Sequence, residues 1–71
     1  MTTLSIVLPA LNEEAGIASI IERVLATRPA LCRVGISDTE LIVVDDGSRD
    51  ATARIASGYS TVRLIRHLHN L

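Results

Sequence analysis

The sequence predicts an α/β chain: a three-layer, parallel β-α-β-α-β unit, one half of a doubly wound sheet. Three observations predict it. Short apolar runs rich in β-branched residues alternate with segments of helical period or turn chemistry. The run "LIVV", residues 41–44, is uninterrupted, as expected for a strand covered on both faces of a parallel sheet. The order strand, helix, strand, helix, strand then implies parallel strands joined by right-handed crossovers.

The elements follow in order. Residues 4–8, "LSIVL", read as a buried strand, and Pro9 is expected to end it because proline donates nothing to a ladder. Ile17, Ile20, Ile21, Val24 and Leu25 repeat with helical spacing and form a core stripe. Asn12 suits the N-cap of that helix, and Glu13 and Glu14 suit its first turn, where the helix dipole favours anions. Arg28 lies near its other end and Pro29 is expected to stop it. Residues 29–39, with Gly35, Ser37 and Asp38, read as a loop with at most a short helical extension before it. Residues 41–44 form the second strand, and "DDGS" turns the chain. Residues 50–57 read as a second helix capped by Ser48 or Asp50 and closed by Gly58. Residues 61–66, "TVRLIR", form the third strand, and "HLHNL" begins a loop.

Composition narrows the function. At 71 residues there is room for one small domain, and such a chain buries only roughly 60% of its unfolded surface. The apolar fraction is 48%, yet there is no Phe or Trp and one Tyr, so Ile, Val, Leu and Ala fill the core. The seven basic residues are all arginines, scattered among eight acids for a net charge of −1. No basic stripe speaks for nucleic acid. No apolar run approaches the roughly 20 residues of a membrane span. The N-terminus lacks a basic segment and meets acids early, so a cytoplasmic chain with a reduced Cys32 is expected.

In open α/β sheets ligands bind at the carboxyl ends of the strands. Three polar stretches fall there: "PALNEE", "DDGSRD" and "RHLHN". Neither a G-x-G-x-x-G nor a P-loop is present, so the phosphate-cradling glycines of the common nucleotide folds are missing. The carboxylates offered instead suit the N–H and hydroxyl groups of a base or ribose, or a metal ion. Alternation along the strand sends Asp45 and Asp46 in different directions, one toward a cleft and one into the turn. Gly47 allows a backbone angle that other residues avoid. The plain alternative is that "DDGSRD" is turn and cap chemistry throughout. Arg49 and Arg66 are placed to approach phosphates, but each reads first as a solvated side chain. His67 and His69, two apart, read as polar loop residues, with no further ligand beyond Asn70. Cys32 reads as a small buried or loop thiol and not as a nucleophile.

"IVLPALNEE" followed about thirty residues later by "LIVVDDGSRDAT" resembles the start of a family 2 glycosyltransferase of GT-A fold. "RHLHNL" resembles that family's R-H-x-x-N-x-G segment. The resemblance covers nearly the whole chain and is nearest to the polyprenyl-phosphate (dolichyl-phosphate) hexosyltransferases. It implies a GDP- or UDP-linked sugar donor and, for a parent enzyme, a polyprenyl-phosphate or glycan acceptor. It implies that Pro9, Ala10, Leu11, Asn12 and Glu13 line the nucleoside pocket, with Asp46 at the base or ribose and Asp45 beside it. It also implies Mg²⁺ or Mn²⁺ held mostly by ligands outside this chain. The family's metal-binding D-x-D motif and acceptor site have no counterpart here, so no catalytic residue is expected within residues 1–71. The expectation is a partial GT-A domain, inactive alone, reaching a membrane surface only through C-terminal parts that it lacks. It would have an open edge on its first strand, where copies can associate. The competing expectations are a receiver-like, Mg²⁺-binding module, which the lack of any lysine disfavours, and an inactive remnant.

Overall fold

A computed structural model describes residues 2–67. The order is β1 (Thr3–Ala10), α1 (Ile17–Leu25), α2 (Arg28–Arg33), β2 (Asp38–Asp46), α3 (Thr52–Ser57) and β3 (Val62–His67). The three strands form one parallel sheet in the order β1-β2-β3. The expected β-α-β-α-β order with a parallel sheet is therefore present.

Sequential strand order with right-handed crossovers puts consecutive helices on the same face. The core obeys this. Ala10, Ile17, Ile21, Leu41, Val43 and Ala56 are buried together, with Ile6, Leu8, Val24, Leu25, Ile55, Tyr59, Val62 and Leu64 packed around them. Even-numbered residues of β1 and β3 and odd-numbered residues of β2 share this face, as the register Ile6↔Leu41↔Val62 and Leu8↔Val43↔Leu64 requires. The described residues thus supply the sheet and one helical layer. On the other face Ile42 and Val44 are half-buried, and Val7 and Ile65 are exposed. The apolar run of β2 alternates buried with half-buried, where coverage of both faces was expected.

Several boundaries differ from the sequence expectation, each for a physical reason. Pro9 lies inside β1, opposite Val44, instead of ending it. In the described sheet β1 is an edge strand, and its outer N–H groups have no ladder partner to lose. Pro29 does not end a helix but sits in the first turn of α2, where a proline needs no N–H partner. Much of the expected 29–39 loop is consequently helical. Asp38, expected in that loop, belongs to β2, which begins there and not at Leu41. Helix α1 starts at Ile17, four residues later than an Asn12 cap requires, and its N-cap is Gly16 with no side-chain bond. Glu13 and Glu14 therefore precede the helix instead of filling its first turn. Ile20, placed in the core stripe by spacing, lies at its margin and is 39% exposed, whereas Ile21 is fully buried.

That contrast is testable. Ile21→Ala is expected to cost about 2–5 kcal/mol, transfer plus cavity, and Ile20→Ala several-fold less. Urea unfolding followed by circular dichroism measures both, and equal losses would contradict the packing described.

Candidate functional site

The carboxyl edge of the sheet is built by register. Ala10 pairs with Asp45, and Asp45 with Arg66; Asp46 pairs with His67. The dipeptide Asp45-Asp46 thus lies beside the dipeptide Arg66-His67. Asp45 points to the helix-covered face and is fully buried, with its Oδ2 3.4 Å from Arg66 Nε. Its Oδ1 accepts the N–H of Ser48 at 3.3 Å, which pins the turn. Asp46 points to the other face, with its side chain 33% exposed, and its Oδ1 lies 3.4 Å from His67 Nδ1. Each acid stands against its own basic neighbour on β3, which is how an apolar strand ends on two carboxylates. Arg66, read from sequence as solvated, is 51% exposed and also stands against Asp45, while His67, read as a loop residue, ends β3 and faces Asp46. The signal that would have found them is the matched order of D-D and R-H on adjacent parallel strands. His69 and Asn70 lie outside the described residues.

Gly47 follows with φ +79°, a left-handed angle that a side chain strains. The turn it makes brings residues 48–52 against residues 12–14. Ser48 Oγ accepts the Asn12 N–H at 2.8 Å, Thr52 Oγ1 accepts the Glu13 N–H at 2.8 Å, and Asp50 Oδ2 accepts the Glu14 N–H at 3.2 Å. In return Asn12 Oδ1 accepts the Arg49 N–H at 2.9 Å, and Glu14 Oε2 accepts the Ala51 N–H at 3.2 Å. Asn12 has φ +51°, one of the few conformations that Asn tolerates better than other side chains. This explains why it caps no helix: its backbone and side chain both face the second loop. Ser48 likewise does not cap α3. Nor does Asp50: α3 begins at Thr52, its N-cap is Ala51 with no side-chain bond, and Asp50 accepts the Thr52 N–H at 2.9 Å in the turn that precedes the helix.

Of the residues expected at the site, Ala10, Asn12, Glu13, Asp45 and Asp46 sit at the carboxyl edge beside the two stitched loops. Pro9 is on the face away from the core helices, and Leu11 is 42% exposed. The sequence reading missed Ser48, Asp50, Thr52 and Glu14 as a cross-loop set. A separate cavity of about 310 Å³ lies at the opposite, amino end of β2, lined by Arg28, Pro29, Cys32, Ile36, Ser37, Asp38 and Thr39. It shares no residue with the carboxyl edge. Among the described residues no three His, Cys, Asp or Glu side chains come together as a metal site. Asp45 is buried, with Oδ1 bonded to Ser48 and Oδ2 beside Arg66 but without a hydrogen bond, and no third His, Cys, Asp or Glu side chain joins it, so the described residues do not fit a complete divalent-cation site. Among the described residues no helix is long and apolar enough to cross a membrane.

The Asp50 carboxyl is held below its ordinary value of 3.8, first by the hydroxyl of Thr52, which donates to it, and further by the N–H groups of Thr52 and Glu14; desolvation opposes them. A depressed folded pKa gives stability that is present above the unfolded value and lost as pH falls through the folded one. The loops are therefore expected to loosen only below about pH 4. Asp50→Asn has no charge to lose. Between about pH 6 and about pH 3 the urea midpoint of the wild type is expected to fall further than that of the variant, and parallel losses would refute this role.

Comparison with known proteins now bears on this edge. The model of "Glycosyl transferase family 2" matches residues 5–71. The chain is 43% identical over 58 residues to a dolichyl-phosphate beta-glucosyltransferase of Drosophila melanogaster, covering 80% of this chain and 18% of that protein. It is 38% identical over 58 residues to an undecaprenyl-phosphate 4-deoxy-4-formamido-L-arabinose transferase of Pseudomonas fluorescens, covering 82% of this chain and 16% of that protein. A transferase of the same description from Photorhabdus laumondii is 43% identical over 51 residues, 72% of this chain and 14% of that one. The chain thus spans less than a fifth of the length of the curated relatives it matches. No solved structure matches it. The named relatives are those of the polyprenyl-phosphate branch, and the extent of the family match favours the transferase reading over a receiver-like module. Both sequence motifs and both stitched loops fall inside the matched span: the chain belongs to glycosyl transferase family 2.

Proposed function

We propose that this chain is the nucleotide-binding part of a transferase that moves a glycosyl group, a hexosyl in the sequence reading, from a UDP- or GDP-linked donor to a polyprenyl phosphate. The observation that carries the proposal is the juxtaposition of residues 9–14 and 45–52 at the carboxyl edge, with the partly exposed Asp46 between them and the opening of the sheet's uncovered face. A carboxylate there accepts the ring N–H of uracil or guanine, or the hydroxyls of a ribose. The first loop supports the same choice. Its amides at Asn12, Glu13 and Glu14 are already donated to the second loop, so it has few N–H groups to offer a phosphate. The exposed carboxylate of Glu13 is an acceptor that suits the nucleoside end of the donor.

The relatives' names support the acceptor: they differ in sugar but agree in a dolichyl or undecaprenyl phosphate. In this reading the residues of this chain bind and orient the nucleoside. The proton transfers and the contacts to the acceptor belong to groups that residues 2–67 do not supply. Mg²⁺ or Mn²⁺, when bound, would neutralise the leaving diphosphate; its ligands too would lie elsewhere. The exposed outer edge of β1 is proposed as a self-association surface of the chain by itself.

Calorimetric titration with UDP and GDP, with and without Mn²⁺, tests the nucleoside role. One nucleotide is expected to bind, and Asp46→Ala to weaken it by at least about tenfold, or about 1.4 kcal/mol. Silence toward both nucleotides at millimolar concentration would overturn the proposal.

A further inference from the structure

Five hydrogen bonds join the two loops, and they run in both directions. Three consecutive amides of the first loop, Asn12, Glu13 and Glu14, each donate to a different side chain of the second. Two amides of the second loop, Arg49 and Ala51, donate to side chains of the first. Two of the acceptors are buried, Ser48 at 5% exposure and Thr52 fully, while Asp50 is half-buried and Asn12 and Glu14 lie at the surface. The Thr52 hydroxyl also donates to Asp50, so it is used as donor and acceptor at once. Ser48 in turn donates its backbone N–H to Asp45, whose other oxygen faces Arg66. The chain of contacts therefore runs from Arg66 on β3 through Asp45 and Ser48 to the left-handed backbone at Asn12.

We propose that Ser48, Asp50, Thr52 and Glu14 are positioning residues, which make the two loops a single preassembled wall whose shape sets nucleotide affinity. This rests on the nucleoside-binding role above. Helix-capping and turn preferences alone do not require the arrangement. A Ser or Asp capping its own helix bonds amides two or three residues ahead; here three of the five bonds reach back 36 to 39 residues to another loop. A loop free to unfold by itself would have to be ordered when ligand arrives, and that ordering subtracts from affinity. The wall removes this cost only if both halves are held together.

Amide hydrogen exchange and nucleotide titration on the same variants test the proposal. Thr52→Val keeps the shape of the side chain and removes the acceptor for Glu13; Thr52→Ser keeps the acceptor. In the Val variant the amides of Asn12, Glu13 and Glu14 are expected to exchange about tenfold faster, the worth of one net hydrogen bond, while the Val43 amide is unchanged. The Kd for UDP or GDP is expected to weaken by a similar factor, and the Ser variant to restore both. Asn12→Gly is the second variant: it tolerates the left-handed backbone but removes the acceptor for Arg49. It is expected to release the Arg49 amide and to weaken the same nucleotide. Unchanged exchange at residues 12–14 overturns the single wall. Faster exchange with unchanged affinity overturns the positioning role. A wild type that binds neither UDP nor GDP overturns the nucleotide reading and the positioning role with it, while release of the amides would still leave the wall as an element of the fold.

Discussion

The in-register parallel pairing of β1 with β2 is the constraint on which the rest depends. Eight residue pairs, from Thr3↔Asp38 to Ala10↔Asp45, bring both strands to the same level at their carboxyl ends. Both chains then leave the sheet side by side, and their first polar residues meet. A slip of one residue would exchange the two faces of β1. It would turn Ile6 and Leu8 away from the helices and carry Asn12 past Ser48. The apolar face that α1 and α3 bury is thus also the device that aligns the loops. Core burial fixes register, register fixes loop contact, and loop contact shapes the candidate site.

The second pairing adds the electrostatics. Because β3 continues the register, Asp45 meets Arg66 and Asp46 meets His67. The two acids differ through burial. Asp45 lies under the helical face, joined to the turn and to an arginine whose side chain is half exposed. Removing one partner of such a pair is costly because the other charge stays buried. Asp46 faces the uncovered side, with its side chain a third exposed. One dipeptide therefore supplies a buried anchor and a partly exposed acid, and strand alternation alone separates the two.

Much of this was legible in the residues. The strand-helix order, the parallel sheet and the placement of three polar stretches at one edge follow from apolar period and topology. The differing directions of Asp45 and Asp46 follow from the period of a strand. What was not legible depended on long-range partners. Asn12 has the chemistry of an N-cap, but residue type does not reveal that its oxygen meets Arg49, 37 positions away. Ser48 has cap chemistry too and is taken by Asn12. Pro9 and Pro29 are usually breaks, yet an edge strand and a first helical turn each tolerate a missing N–H. The unbroken apolar run of β2 reads as covered on both faces, whereas the helices within the described residues lie on one side. That Arg66 pairs with Asp45 was not visible because its partner sits opposite it on another strand.

The central claim is that the stitched carboxyl edge, and not the cavity at the amino end of β2, receives the nucleotide. Amide chemical-shift mapping during titration with UDP and with GDP tests it most directly. The account predicts that the shifted amides cluster at residues 11–14 and 45–52. Shifts clustered instead around Arg28, Cys32 and Ser37 would contradict it.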